Sequence, residues 1–236
     1  MAASVNDKRG REGAPSGASP RRGEQTRALI VDTAVRLFAE HGYDQTTMRR
    51  VASDAGVSLG NAYYYFGSKE HLVEAFYDRL QAEIRAAAVP AIAGERDFAT
   101  RLRTALHAAV DVMTPYHGFA GKLIKTATDP ASPVSPFSEQ SAPAREASIG
   151  LFREVVADST TRLDARLRDE LPELLWLGHM GITLYWVHDT SPGQRRTRLL
   201  IDRATPLVGR LVELTRLRVL RNVTHEVLEL VRALRA

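Results

Sequence analysis

Apolar residues in this chain recur at helical spacing in long blocks, and glycine, proline or serine separates the blocks. From about Glu24 to His41, Ile30, Ala34, Leu37 and Phe38 share one face. A longer helix opens at Ser68 and Lys69 with Leu72, Phe76, Leu80 and Ile84 along one side. It is expected to stop at Pro90, because a proline disfavours helix at the residue before it. Leu102, Ala105, Leu106, Ala109, Val110 and Met113 mark the next helix, Pro115 begins a shorter one through Leu123 and Ile124, and the period resumes from about Ala144 to Val156. Between the last two, Thr128 to Pro143 carries four prolines and several serines, a long loop of the kind that is either functional or disordered. No stretch sustains a period of two, so the expected class is all-α.

The last third has a different texture. Pro172 suits the first turn of a helix, and the segment ELLWLGHMGITLYWVHD after it is apolar almost all the way round, which predicts burial on more than one side. After a turn signal at Ser191 to Gly193, Leu200, Ala204, Leu207, Val208, Leu211 and Thr215 share one face of a further helix, with Arg196, Arg203 and Arg210 on another. Gly178, Gly181 and Gly209 would let helices approach closely. Two such antiparallel helices can pair with their copies in a second subunit, as a four-helix seam around a two-fold axis. A monomeric core accounts for the same pattern; the homodimer is the reading adopted. A final helix with Leu220, Val223, Val227, Val231 and Leu234 packs outside that seam or extends it.

The segment TTMRRVASDAGVSLGNAYYYFGSK, Thr46 to Lys69, reads as two short helices around a tight turn. Thr47 can cap the first, in which Met48, Val51, Ala52 and Ala55 point inward and Arg49, Arg50 and Asp54 stay wet. Gly56 stops it, since glycine takes the left-handed conformation without a Cβ clash. Ser58 can cap the second, with Ala62 and Phe66 inward and Asn61, Tyr63 and Tyr64 outward. Helix, glycine turn and a helix with an exposed polar-aromatic face is the helix-turn-helix device for entering a DNA major groove. GVSLGNAYYYFGSKEHLV resembles the N-terminal signature of the TetR-type transcriptional regulators, usually GVSxGTLYxYFxSKExL. The preceding helix and the bridge AEHGYDQTTMRRVA are similar too, so the likeness covers roughly residues 22 to 80. Asn61 stands where threonine is common and Ala62 where leucine is common. The first of these could alter which bases are preferred.

That resemblance implies a three-helix head joined to a larger helical body for dimerisation and ligand binding. The outward face and the likeness together nominate Arg49, Leu59, Gly60, Asn61 and Tyr64 for the groove, with Ser58 at the cap. Arg49 is the best base reader, because a guanidinium can bond guanine bidentately. Thr47, Tyr63, Tyr65 and Lys69 are better placed for phosphates, although Tyr65 suits the aromatic core more than Tyr63 does. In the body, Met113, Tyr116, Phe119, Trp176, His179, Met180, Tyr185 and Trp186 are candidates to line a cavity for a small, largely apolar molecule. Each could equally be core or dimer contact, and His179 could bond a neighbouring helix instead of a ligand.

Composition changes this picture little. The chain has 236 residues and a net charge of +4, which is weak evidence for nucleic acid by itself. Without cysteine there is no disulfide, thiol nucleophile or thiolate metal site. The seven histidines are scattered without HExxH spacing, and neither a GxSxG elbow nor a phosphate-binding glycine loop occurs. No catalytic residue, metal or cofactor is therefore expected. Met1 to Arg27 lacks an apolar signal-peptide core, and the apolar run from Leu174 to Val187 is too short and interrupted to span a bilayer, so a soluble cytoplasmic protein is expected. The expected organisation is a disordered basic arm over 1–22, a helix-turn-helix domain over 23–69 and the body over 70–236. Lys8, Arg9, Arg11, Arg21 and Arg22 make that arm either a DNA contact or an uninvolved leader. Together these features point to a repressor that binds a pseudo-palindromic double-stranded operator as a homodimer and responds to a small-molecule effector. The alternatives are a regulator governed by a protein partner, or an enzyme or interaction module with an inherited head.

Overall fold

The computed structural model of the protein describes residues 20–215 and the single position 226. Its regular elements are helical throughout: α1 (Pro20–His41), α2 (Met48–Asp54), α3 (Leu59–Tyr65), α4 (Lys69–Ile92), α5 (Phe98–Met113), α6 (His117–Ala127), α7 (Ala142–Ala157), α8 (Ala165–His188) and α9 (Arg195–Leu214). Single 3₁₀ turns at Thr114–Tyr116 and Pro192–Gln194 lead into α6 and α9. The helix proposed around Leu220 to Leu234 and the arm over residues 1–19 lie outside the described residues. Arg21 and Arg22 belong to the exposed first turn of α1 rather than to an arm, since Pro20 opens that helix.

Local chemistry sets most boundaries. The Thr47 hydroxyl accepts from the Arg50 N–H at 3.2 Å and the Ser58 hydroxyl from the Asn61 N–H at 3.1 Å, each satisfying an orphan donor of a first turn. Gly56 takes φ 67° between them. Two prolines behave otherwise than expected. Pro90 lies inside α4, which continues to Ile92, and Pro172 lies well inside α8, which starts at Ala165. The Asp164 carboxylate caps that start by accepting from the Leu167 N–H at 2.8 Å. In both helices the carbonyl deprived of its donor belongs to an exposed residue, Ala86 or Arg168, where water can replace the lost bond.

In the head, α1, α2 and α3 close over Ile30, Leu37, Phe38, Val51, Ala62 and Phe66. The α4 helix runs from this head into the body, where it packs on α5 and α7, while α5 also packs on α9 and α7 on α8. Arg101 ties the frame together although it is only 1% exposed. Its guanidinium donates to the carbonyls of Ile92, Glu95, Val155 and Glu154 at 2.6–2.9 Å. The α8–α9 turn is held by buried Asp189, whose carboxylate accepts from the N–H and hydroxyl groups of Ser191 and Thr197 at 2.6–2.9 Å. Burial opposes its charge, yet these bonds hold its carboxyl well below the usual range. The proline-rich segment of 128–141 packs against the helices, and Ala142 and Pro143, expected in the same loop, already open α7. Val134 is buried, the Tyr77 hydroxyl donates to its carbonyl at 3.3 Å, and Phe137 stands 5.3 Å from Trp176, ring to ring.

Candidate functional site

The face of the head around α3 is exposed. Ala62 is buried and fixes the helix, which turns Tyr64 (80% exposed) and Tyr63 (49% exposed) outward. Gly60 is exposed with open space where a Cβ would stand, and Leu59 and Asn61 are half-buried beside it. Arg49 is exposed on α2 and has no carboxylate partner among the described residues, whereas Arg50 is bound to Asp54 at 3.1 Å. Thr47 and Ser58 use a hydroxyl lone pair in their caps, which leaves each O–H able to donate to a phosphate. Tyr65 is half-buried, edge-on to Tyr64 with ring centres 5.2 Å apart. Lys69 is the candidate most engaged elsewhere. Its Nζ donates to the Tyr43 carbonyl at 3.0 Å and sits 4.4 Å above the Tyr43 ring.

In the body a cavity of about 160 Å³ lies between α4, α6, α7, α8 and the ordered loop. Of the candidates, Met113, Tyr116, Phe119, Trp176, His179, Met180 and Trp186 line it. Tyr185 does not: it is 44% exposed on the outer side of α8, because consecutive residues on a helix point about 100° apart. Phe76, Tyr77, Gln81, Ser141, Arg145 and Thr183 also line the cavity, and sequence reasoning missed them as wall residues. Phe76 was legible only as one member of an apolar stripe, and no local signal marks Ser141 or Arg145.

The cavity's polar atoms are distinctive. The Ser141 and Thr183 hydroxyls, Nδ1 of His179 and Nε1 of Trp186 are buried without a hydrogen-bond partner within the protein. A buried polar group left unsatisfied costs roughly 1–3 kcal/mol, so a molecule that met several of these would gain correspondingly. Burial alone lowers the His179 pKa to about 4, which makes it a neutral imidazole at physiological pH. The wall is also joined to the head. Phe119 is 5.0 Å from Phe76 of α4 and 6.0 Å from Phe38 of α1, ring centre to ring centre.

A third surface remains apolar and open. Leu177, Leu184 and Tyr185 of α8 are exposed, as are Leu200, Leu207 and Leu211 of α9, with Leu211 at 63%. Gly178 and Gly181 lie on the same outer side of α8 with nothing within 4 Å of a built Cβ, whereas Gly209 faces inward, where a Cβ would meet that of Ala99 at 3.0 Å. Among the described residues no group of acidic or histidine side chains could hold a metal ion, and no helix is long and apolar enough to cross a membrane.

Two family profiles match the chain: "Tetracyclin repressor-like, C-terminal domain" over residues 101–230 and "Bacterial regulatory proteins, tetR family" over residues 30–76. The HTH-type transcriptional regulator TtgR of Pseudomonas putida is 40% identical over 57 residues, 24% of this chain and 27% of that protein. The HTH-type transcriptional repressor KstR2 of Rhodococcus jostii is 44% identical over 59 residues, 25% of this chain and 26% of that one. The chain thus spans about a quarter of the length of these curated relatives. Among solved structures, a TetR transcriptional regulator from Nitrosomonas europaea superposes with a TM-score of 0.61 over 78% of this chain and 97% of its own, at 20% identity. That likeness speaks to the fold.

Proposed function

The chain belongs to the TetR family of bacterial regulatory proteins, and on that premise we propose that it is a transcriptional repressor that binds a pseudo-palindromic operator as a homodimer and releases it when a small, largely apolar molecule fills the body cavity. The observation that carries this reading is the conjunction of an outward α3, with Tyr63, Tyr64 and unpaired Arg49, and a partly open apolar cavity whose wall reaches the head through Phe119 and Phe38. Arg49, Leu59, Gly60, Asn61 and Tyr64 would face the bases, and Thr47, Ser58 and Tyr63 the phosphates. Lys69 is better described as a brace for Tyr43 that could still reach a phosphate on exchanging partners.

The exposed leucines of α8 and α9 support the dimer, since an apolar face of that extent on two adjacent helices favours burial against its own copy. The two heads would then meet successive major grooves about 34–36 Å apart, or a multiple of that spacing. An effector acts only through differential affinity: it must bind a conformer whose head spacing misfits the operator more tightly than the one that fits. The aromatic contacts of Phe76, Phe119 and Phe38 supply a physical connection through which α4 and α1 could shift together.

Selection of bound duplexes from a random library, followed by footprinting on the recovered sites, tests the proposal. Two symmetric half-sites and loss of protection with Arg49→Ala and Tyr64→Ala are expected. Binding without any sequence preference would remove the repressor reading.

A further inference from the structure

The cavity is apolar over most of its wall but not electrically neutral. Arg145 is its one cationic lining residue among those described, and no aspartate or glutamate lines it. Arg145 is half-buried, and its Nη1 donates to the carbonyls of Pro136 and Ser138 at 2.8 and 2.9 Å. Those acceptors are neutral, so the guanidinium has no carboxylate partner among the described residues, and its other nitrogens keep donors to spare. The adjacent Glu146 is paired elsewhere, with Arg153 at 2.5 Å.

One turn earlier stands Ser141, at the N-cap position of α7. It is 4% exposed, caps nothing, and its Oγ lacks any partner within the protein. The α7 helix has 16 residues and turns the positive end of its dipole toward the same wall, although its Ala142 N–H already donates to the Glu139 carbonyl at 3.0 Å and Pro143 has no N–H to offer. An uncompensated cation, an idle buried hydroxyl and a helix N-terminus therefore converge on one end of the cavity.

We propose that the molecule this cavity takes is a small organic acid, its carboxylate held by Arg145 and the Ser141 hydroxyl at the positive end of α7, and its apolar body lying along Phe119 and Trp176. The proposal rests on the cavity being the effector site. Moving a carboxylate out of water is costly unless charge and hydrogen bonds replace the lost hydration, and this end of the cavity offers both. A neutral molecule of the same shape would leave the Arg145 charge facing apolar wall. An apolar cavity of roughly 150 Å³ holds a benzene ring, so at about 160 Å³ the body should be a single ring or a short chain.

Both tryptophans of the chain, Trp176 and Trp186, line the cavity, so intrinsic fluorescence reports on it without DNA. Full-length protein is titrated with hexanoate, octanoate, benzoate and 3-phenylpropanoate, each beside its primary amide. At least one carboxylate should change the fluorescence at concentrations about tenfold or more below its amide, the worth of one charge-assisted hydrogen bond. Arg145→Gln should erase that preference. Ser141→Ala, which removes no bond of the folded protein, should reduce it without lowering the melting temperature. If Arg145→Gln melts early because the loop is released, Ser141→Ala alone decides. Amides that bind as tightly as their acids, or a preference untouched by Ser141→Ala, would overturn the proposal and leave the effector cavity standing. Silence from all four pairs would overturn both. An acid that binds with this preference but fails to release the operator would sustain the proposal and overturn the regulatory reading.

Discussion

Replacing Arg101 by methionine should destabilise the body more than any exposed arginine substitution. Arg101→Met preserves length and apolar stem but removes every donor. Ile92 is the last residue of α4, while Glu154 and Val155 lie in the last turn of α7. Their carbonyls belong to the groups that a helix end leaves without intrahelical donors, so one guanidinium serves the ends of two helices at once. The bonds to Ile92 and Val155 are fully buried; stranding the Val155 carbonyl costs roughly 1–3 kcal/mol, while the Ile92 carbonyl keeps the longer bond from the Glu95 N–H at 3.3 Å. The bonds to Glu95 and Glu154 are partly exposed, so water can recover much of their value. Relief from desolvating the guanidinium offsets part of the loss, which leaves a net cost of about 2–4 kcal/mol. Asp158 adds little, because its carboxylate lies 3.6 Å away and is mostly exposed. For a chain of this size each kcal/mol lowers the melting temperature by about 2–4 °C, so a fall of roughly 4–16 °C is expected. Circular dichroism melts at one fixed protein concentration measure it, since association shifts the apparent stability of a dimer. Exposed Arg103→Met is the control and should stay within about 0.5 kcal/mol. If Arg101→Met melted within about 2 °C of the unaltered protein, the clamp would contribute nothing to the frame.

Three further outcomes are expected. Arg49→Ala should cost ~1–3 kcal/mol of operator affinity and relax preference at one position of each half-site, while Tyr63→Phe should weaken all sequences alike; an operator library separates the two, and an unchanged preference would remove Arg49 from base reading. Gly181→Glu or Leu211→Glu, which put charge on the exposed apolar face of α8 or α9, should give monomers or insoluble protein in sedimentation, and an unaltered dimer would move the interface elsewhere. His179 has a folded pKa lowered to about 4 from an ordinary value of 6.5. Between those values the unfolded chain binds a proton that the folded one refuses, so its contribution is intact above pH 6.5 and falls as the pH drops toward 4. Acid titration of stability should be flatter for His179→Asn, and identical slopes would mean the imidazole is not buried neutral.

The short helices of the head were legible from sequence because their determinants are local. A hydroxyl reaches an amide three residues on, and Gly56 turns the chain without help from any distant residue. Amphipathic periodicity likewise marked which faces of α4 and α5 are buried, and the outward leucines of α9 stand where the pattern placed them. It could not foresee that α8 begins at Ala165. The competing signals were the Asp164 cap and Pro172, and the helix tolerates the proline because exposed Arg168 supplies the carbonyl that loses its donor.

The cavity belongs to the other category. In sequence, Tyr185 and Trp186 are equivalent neighbours on an apolar helix, and only packing against α6 turns Trp186 inward and leaves Tyr185 outside. Ser141 and Arg145 look like ordinary loop and surface residues until the 128–141 segment folds back on α4 and α8, which brings Ser141 to the wall beside Arg145 of α7. Sequence alone determined the helical class, the capped head and the family likeness, since these follow from spacing within a few turns of chain. Tertiary structure decided which aromatic residues enclose a volume and which polar atoms it strands, because a cavity is a relation among distant segments that no local period encodes.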